Sequence, residues 1–476
     1  MPDKTGEKIV TRFAPSPTGF MHVGGVRTAL YAYLWAKKHQ GTFILRIEDT
    51  DKEREVEGSI GHIMESLKWL GIDWDQGPDI GGPYASYIQS ERLDLYKKYA
   101  DILIQKGFAY PDPYTKEELD AFRQKADEER KPFLYRNHRP ETFGVWDGTK
   151  ALRFKTPEIK SYHWSDAVRG ELSAGEEALD DFILIKSDGY PTYNFAHIID
   201  DLQMNVTHIM RADEFIASTP KFLSLYDALE IKPPVLVTLP PILADGGNKK
   251  LGKRDGAKDI LDYKKEGYLP DAMVNFLALL GWNPGGEKEI FTKEELINIF
   301  DISRIQNSGA QMNLEKLEWM NKEHIKLLPH EEIEKNILAW LPEDKKDPKL
   351  IPVIIDRISK WSDVTIMCEA GELDLFFKTP EYDKTKLLFK ALPIERITEN
   401  LKKAIASIEE IPENDFNLEN IKNKLMSIAE TLESRGELLH PVRYALSGQD
   451  KSPDPFIIAS ILGKNETLQR LQKAIS

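Results

Sequence analysis

Residues 43–47, FILRI, constrain the fold more than any other stretch of the chain. A nearly unbroken apolar run of this length suits a strand covered on both faces, which is the environment of a parallel sheet. Before it, KIVTRFA reads as a short strand ended by Pro15 and Pro17. VRTALYAYLWAKKH then sets Val26, Leu30, Tyr33 and Leu34 on one helical face. After FILRI, a second helix is expected through Val56, Ile60, Ile63, Met64, Leu67 and Leu70, closed by Gly71. A third is expected to open on Ser90 as its cap and to stop before Gly107. Strand–helix–strand alternation of this kind predicts an α/β domain built on a doubly wound parallel sheet.

The character changes near residue 111. The following stretch is richer in charge and proline, carries the capping box Thr115-x-x-Glu118, and includes alternating segments such as ALRFKT. It is read as an inserted α+β subdomain over residues 111–181. FILIK is expected to resume the central sheet, followed by SDGYP, TYNFAHIID and THIMR. Thr219–Pro220 is a cap-and-first-residue pair for a helix, and VLVTL is the last clear strand. Beyond about residue 259 the pattern is helical, including a helix opened by Thr292-x-x-Glu295, and stays so to the end. The domains expected are a sheet domain (1–110 and 182–240), the insert (111–181), a third region (241–322) and an all-α region (323–476).

Composition excludes several classes. The one cysteine, Cys368, rules out an internal disulfide framework and any multi-cysteine metal site. The opening MPDKTGEKIV has no apolar run, so no signal peptide is expected. No window approaches a membrane-spanning length of apolar residues, and a cytoplasmic protein is expected. A net charge of −14 argues weakly against a large polyanionic partner, although local patches and not the total decide binding.

Two loops carry the chemistry. RFAPSPTGFMHVGG, residues 12–25, runs from the first strand into the first helix. A glycine-rich helix start exposes backbone N–H groups and a positive dipole end, both suited to phosphate. His22 stands two residues before Gly24-Gly25, either as a packed histidine of the turn or as a donor to a phosphate oxygen. Arg12, Glu48 and Arg211 fall at the ends of three strands, where open α/β sheets bind ligands. Two guanidinium forks and a carboxylate would suit a zwitterion with a second carboxylate, and each residue taken singly is also compatible with a surface ion pair. The second loop, GGNKKLGKRDGAK, has the spacing of a phosphate-binding P-loop from Gly247 to Lys253. It has Arg254 where that motif needs a hydroxyl to meet Mg²⁺.

PSPTGFMHVGGVRTAL, FILRIEDTD, SDGYPTYNFAHIIDD, THIMRADE and KLGKR occur in this order. Together they resemble the signatures of the bacterial-type glutamyl-tRNA synthetases, which are class I aminoacyl-tRNA synthetases. The resemblance covers nearly the whole chain. It implies a Rossmann-like class I catalytic domain, an acceptor-end-binding insert, a stem-contact domain bearing KLGKR, and a helical anticodon-binding region. It implies the partners tRNA(Glu), L-glutamate and ATP, with Mg²⁺ bound to the nucleotide, and a monomer. By resemblance, His22, Lys250 and Lys253 serve catalysis. Gly19, His22, Gly24, Gly25, Lys250, Lys253 and Arg254 bind ATP. Arg12, Ala14, Ser16, Glu48, Tyr193, His197 and Arg211 bind glutamate, with His197 also readable as a packed core histidine.

The sequence departs from the family twice. Some relatives hold zinc in the insert through Cys-x-Cys and Cys-x-His, whereas the matching stretches here are Ala109-Tyr-Pro-Asp-Pro and Tyr135-Arg-Asn-His138. His138 and Asp112 alone do not make a tetrahedral site, so no structural zinc is expected. Gly252 also replaces the usual serine of the lysine signature. Four alternatives stay open at this point: an enzyme that also glutamylates tRNA(Gln), a glutaminyl enzyme, a paralogue without catalysis, and a P-loop nucleotidase.

Overall fold

The computed structural model describes residues 8–84, 86–244, 246–247, 249–252, 258–381, 383–390 and 392–476. The chain divides into two compact units, Met1–Met320 and Asn321–Ser476.

The first unit is organised by β1 (Val10–Phe13), α1 (Val23–Lys38) and β2 (Thr42–Leu45). FILRI contributes a strand in which every residue is buried, as a doubly covered strand requires. α1 is apolar on almost every side and is buried along most of its length, because it is covered by further helices as well as by the sheet. α2 (Ser59–Trp69), α3 (Leu93–Gln105), β3 (Ala109–Pro111), α4 (Lys116–Glu128), β4 (Leu152–Phe154), β5 (Tyr162–Asp166), β6 (Gly170–Ala174) and β7 (Ile183–Ile185) follow. Then come α5 (Tyr193–Gln203), β8 (His208–Ala212), α6 (Thr219–Leu229), β9 (Val235–Leu239), β10 (Ile242–Leu243), α7 (Ile260–Lys265), α8 (Pro270–Leu279), α9 (Lys293–Ile299) and β11 (Ala310–Gln311).

The central sheet has the order β2-β1-β8-β9-β5-β6. Its first five strands are parallel, and β6 closes the edge as the antiparallel arm of a hairpin. The chain leaves β1 toward β2 on one side, while β8 lies on the other. This reversal opens a crevice beyond the carboxyl ends of β1 and β8.

Several sequence expectations change here. FILIK does not resume the central sheet: β7 pairs antiparallel with β4 in a separate sheet of order β3-β4-β7. A short apolar run looks the same whichever sheet it joins, and only pairing decides. The hairpin β5–β6, within residues 111–181, extends the central sheet instead. The second helix begins at Ser59, and Val56 stands outside it with its N–H on the Pro17 carbonyl, 2.9 Å away. Ser90 caps no helix, because its N–H and hydroxyl both bind the Asp49 carboxylate, at 2.8 and 2.5 Å. Thr219 is a helical residue with Ser218 in the cap position, and its hydroxyl receives Arg211. Both capping boxes, at Thr115 and Thr292, form as read.

The second unit is helical throughout its regular structure, with helices His330–Trp340, Ile394–Glu409, Leu418–Ala429, Gly436–Ser447 and Pro455–Ile475 among its members. Its core gathers residues such as Ile397, Leu401, Ile421, Leu425, Leu438 and Ile458.

Candidate active site

A cavity of about 1330 Å³ occupies the crevice beyond the ends of β1 and β8. Three groups of the residues singled out above line it. Arg12, Ala14 and Ser16 come from the end of β1 and the turn after it. Gly19 comes from that same turn, His22, Gly24 and Gly25 from the start of α1, and Glu48 from the segment after β2. Tyr193, Arg211 and Lys250 complete the set. His197 is not in this wall; it packs behind Tyr193, ring on ring at 4.5 Å, with its Nδ1 2.6 Å from the Tyr193 carbonyl. Burial pushes its pKa down to about 3, so the ring is neutral. Lys253 and Arg254 lie outside the described residues.

His22 is the N-cap of α1, and its Nδ1 accepts the Gly24 N–H at 3.1 Å. That bond leaves the neutral ring's proton on Nε2, a donor at the positive end of the helix. A Cβ at Gly24 would stand 3.0 Å from His22 Cε1, so any larger residue there would press on the imidazole.

Beneath the cavity floor lies a buried charge network that the sequence reading missed. Arg12 grips Asp201 with two prongs, Nε–Oδ1 at 3.0 Å and Nη2–Oδ2 at 3.2 Å. Arg46, with no exposed surface, reaches Asp201 at 2.8 Å and Glu48 at 2.9 Å. Arg92 reaches Asp200 at 2.8 Å, and Asp200 also receives Gln89 and Tyr96. Burial works against the Arg46 charge, but Asp201, Glu48 and Asp200 outweigh it and hold the group well above its ordinary range. Burial also raises Asp201, yet Arg12 and Arg46 prevail and bring it to about 2. For Glu48 the balance runs the other way: burial pushes it up to about 7 against the pull of Arg46 and Arg12. Two signals pointed to this network. Arg46 interrupts an apolar strand and Asp200-Asp201 end an apolar helix, and charges placed so need partners.

Arg211 stands apart. It is 6 % exposed, donates Nη2 to Thr219 at 2.9 Å, and lies over the rings of Phe215 and Phe222. Its Nε meets no hydrogen-bond partner, and no carboxylate pairs with it among the described residues. Burial lowers its pKa from the ordinary arginine value.

The segment before KLGKR forms a hairpin turn. Gly246 and Gly247 take φ of 88° and 75°, which only glycine adopts without strain, and Leu251 N–H returns to the Ile242 carbonyl at 2.7 Å. Lys250 is bonded to Glu214 and lies 3.9 Å from Asp213.

Residues 8–319 match the model of the class I tRNA synthetases (E and Q), catalytic domain, and residues 315–475 match an anticodon binding domain. The chain is 42% identical to a glutamate–tRNA ligase of Clostridium kluyveri over 98% of each chain. The chain belongs to the class I glutamate–tRNA ligases. A Clostridium tetani ligase is 41% identical over 99% of this chain and 98% of its own. The crystal structure of an Elizabethkingia meningosepticum glutamate–tRNA ligase in complex with its amino acid superposes with a TM-score of 0.86 at 35% identity, covering 98% of this chain and 99% of the other. The Elizabethkingia anophelis synthetase gives 0.83 at 36%, covering 98% and 100%. The parallel sheet with its insert is thus the Rossmann-like catalytic domain of this ligase family, followed by its helical region.

In the insert, Asp112 and His138 are engaged by other protein groups. Asp112 accepts Tyr135 O–H at 2.6 Å and Arg153 Nε at 2.6 Å, while the His138 ring stacks on Phe122 at 4.2 Å. A carboxylate already committed to a guanidinium and a ring held between aromatics do not fit a metal. Among the described residues no group of three or more His, Cys, Asp or Glu is placed to hold one.

Proposed function

We propose that this chain attaches L-glutamate to tRNA(Glu) at the expense of ATP, through glutamyl-adenylate. One observation carries the amino-acid half. Arg12, Arg46 and Arg92 face Glu48, Asp200 and Asp201, three cations against three acids, so the network is balanced by itself. Arg27 and Arg211 are buried arginines of the cavity wall with no carboxylate partner among the described residues; Arg27 donates to the Leu280 and Pro240 carbonyls, whereas Arg211 donates only to Thr219. A ligand with two carboxylates and one ammonium gives Arg211 the carboxylate it lacks and Glu48 a cation. Arg211 takes one carboxylate, Glu48 takes the ammonium, Tyr193 forms the adjoining wall, and Arg12 serves the second carboxylate from within its Asp201 pair. Glutamine is rejected because its amide N–H₂ would face guanidinium donors. His197 supports Tyr193 and Arg211 from behind.

The nucleotide half uses the other end of the cavity. Gly19, Gly24 and Gly25 let the adenosine and phosphates approach the backbone, and His22 Nε2–H donates to a phosphate oxygen. The α-carboxylate of glutamate attacks the α-phosphorus in line, and pyrophosphate leaves. No protein nucleophile is needed, so the protein's work is positioning and charge stabilisation. Lys253, with Lys250 and Arg254, stabilises the leaving pyrophosphate; Lys250 must exchange Glu214 for phosphate to do so. Mg²⁺ comes with ATP as its phosphate complex.

A terminal tRNA ribose hydroxyl then attacks the mixed anhydride. Residues 111–181 receive the acceptor end, 241–322 the stem and 323–476 the anticodon. The enzyme works as a cytoplasmic monomer, and among the described residues no helix is long and apolar enough to cross a membrane. Aminoacylation of purified tRNA(Glu) and tRNA(Gln) with each amino acid tests the reading. Glutamate on tRNA(Glu) is expected, and charging of glutamine instead overturns it.

A further inference from the structure

His62 has no part in the reaction described above, yet it links two segments at the ATP end of the cavity. It lies on α2, and its Nδ1 faces the Met21 N–H at 3.4 Å and the Ser66 hydroxyl at 3.3 Å. Since Nδ1 accepts from Met21, the neutral ring carries its proton on Nε2. Nε2 lies 2.9 and 2.8 Å from the two oxygens of Asp259. The Phe20 ring stacks on the imidazole at 4.6 Å. Asp259 is itself fixed: one oxygen caps α7 by accepting the Leu261 N–H at 2.9 Å, and its backbone bridges to His22. The next N–H, of Ile260, binds the Met21 carbonyl at 3.0 Å. The imidazole therefore closes a ring of contacts that runs from α2 through Asp259 to the backbone of Met21 and His22. His62 and Asp259 are 12% and 20% exposed, so the pair is partly screened from water and holds a defined geometry.

We propose that His62 is a positioning residue for adenylate formation: by clamping Asp259 and the Met21 N–H, it holds His22 in register with the phosphates of ATP. It acts through Met21 and Asp259 and does not touch substrate. The amino-acid end of the cavity is built from other elements, so the effect falls on the ATP step alone.

The experiment is ATP–pyrophosphate exchange by the full-length protein in the presence of tRNA, with His62→Ala, His62→Gln and Asp259→Asn. His62→Ala is expected to lower kcat of exchange by about tenfold to a hundredfold, the scale of a misplaced catalytic group. KM for glutamate and single-turnover transfer from preformed glutamyl-adenylate should stay at wild-type values. His62→Gln presents an amide N–H where Nε2–H stood and should recover most of the loss. Asp259→Asn keeps the cap acceptor and shifts the same parameter, and it decides the matter if His62→Ala does not fold. An unchanged exchange rate, equal losses in exchange and transfer, or a His62→Gln no better than His62→Ala overturns the proposal. The proposal rests on the adenylate reading: wild-type protein without exchange overturns both, whereas active wild type with an indifferent His62→Ala overturns only this one.

Discussion

Arg12 and Asp201, 189 residues apart in sequence, meet as a two-pronged ion pair with no exposed surface on the aspartate. The pair joins β1 to α5 directly beneath the cavity, and Arg46 shares the same carboxylate. Asp201→Asn keeps the shape and removes the charge that two buried guanidiniums depend on. We expect a loss of about 3–5 kcal/mol in urea unfolding, the scale of a broken buried pair. A loss below about 1 kcal/mol, as for a surface pair, would contradict the assignment.

The two arginines proposed to hold glutamate should separate. Arg211 has no acidic partner to abandon, so Arg211→Gln is expected to raise KM for glutamate by about tenfold to a hundredfold, the scale of a lost charged hydrogen bond, at little cost in stability. Arg12→Ala should weaken glutamate binding far more than ATP binding and also lower the melting temperature, because it strands Asp201. Exchange kinetics in both substrates, read beside thermal unfolding, distinguish the two.

Lys253→Ala is expected to lower kcat for adenylate formation by on the order of 10²–10³, about 2.7–4 kcal/mol, with a smaller change in KM. Unchanged pre-steady-state adenylate formation would remove Lys253 from the chemistry.

Glu48 sets a pH dependence. Burial raises it from 4.5 to about 7 in the folded chain, so its contribution to stability is full below 4.5 and is lost as pH rises through 7. An ammonium ligand needs the ionised carboxylate, so glutamate affinity should rise over the same interval, with proton release near neutrality. Calorimetry in two buffers of different ionisation enthalpy measures that proton. Asp201 behaves oppositely: its contribution is present above 3.8 and is lost as pH falls toward about 2. His197 adds to the acid side: burial lowers it from 6.5 to about 3, so its contribution to stability is full above 6.5 and is lost as pH falls through about 3.

Metal analysis of the purified protein should find no stoichiometric zinc, and chelator should leave the insert folded. One zinc per chain would show that Asp112 and His138 leave the contacts they make here.

Much of the site was legible because its signals are local. A strand ending at Arg12, a glycine-rich turn at His22 and a strand ending at Arg211 each follow from a few neighbouring residues, and alternation of strand and helix put them at one edge of a sheet. The network under them was not legible in the same way. Arg46 and Asp201 lie 155 residues apart, and a sequence marks each as a charge needing a partner without saying which. His197 likewise falls on the right helix, but only the packing of Tyr193 puts its ring behind the cavity wall.

By itself, then, the sequence determined what short-range physics controls: the parallel α/β class, the two capping boxes, the helical C-terminal region and the glycine-rich turn that leads into the first helix. Tertiary structure alone decided what depends on long-range pairing. It placed FILIK in a second sheet, gave Ser90 to Asp49 instead of a helix end, and left Arg211 buried without a carboxylate partner among the described residues. Strand partners and buried ion pairs are set by which surfaces meet after folding, and a short apolar run or a lone charge is compatible with several such meetings until the core closes.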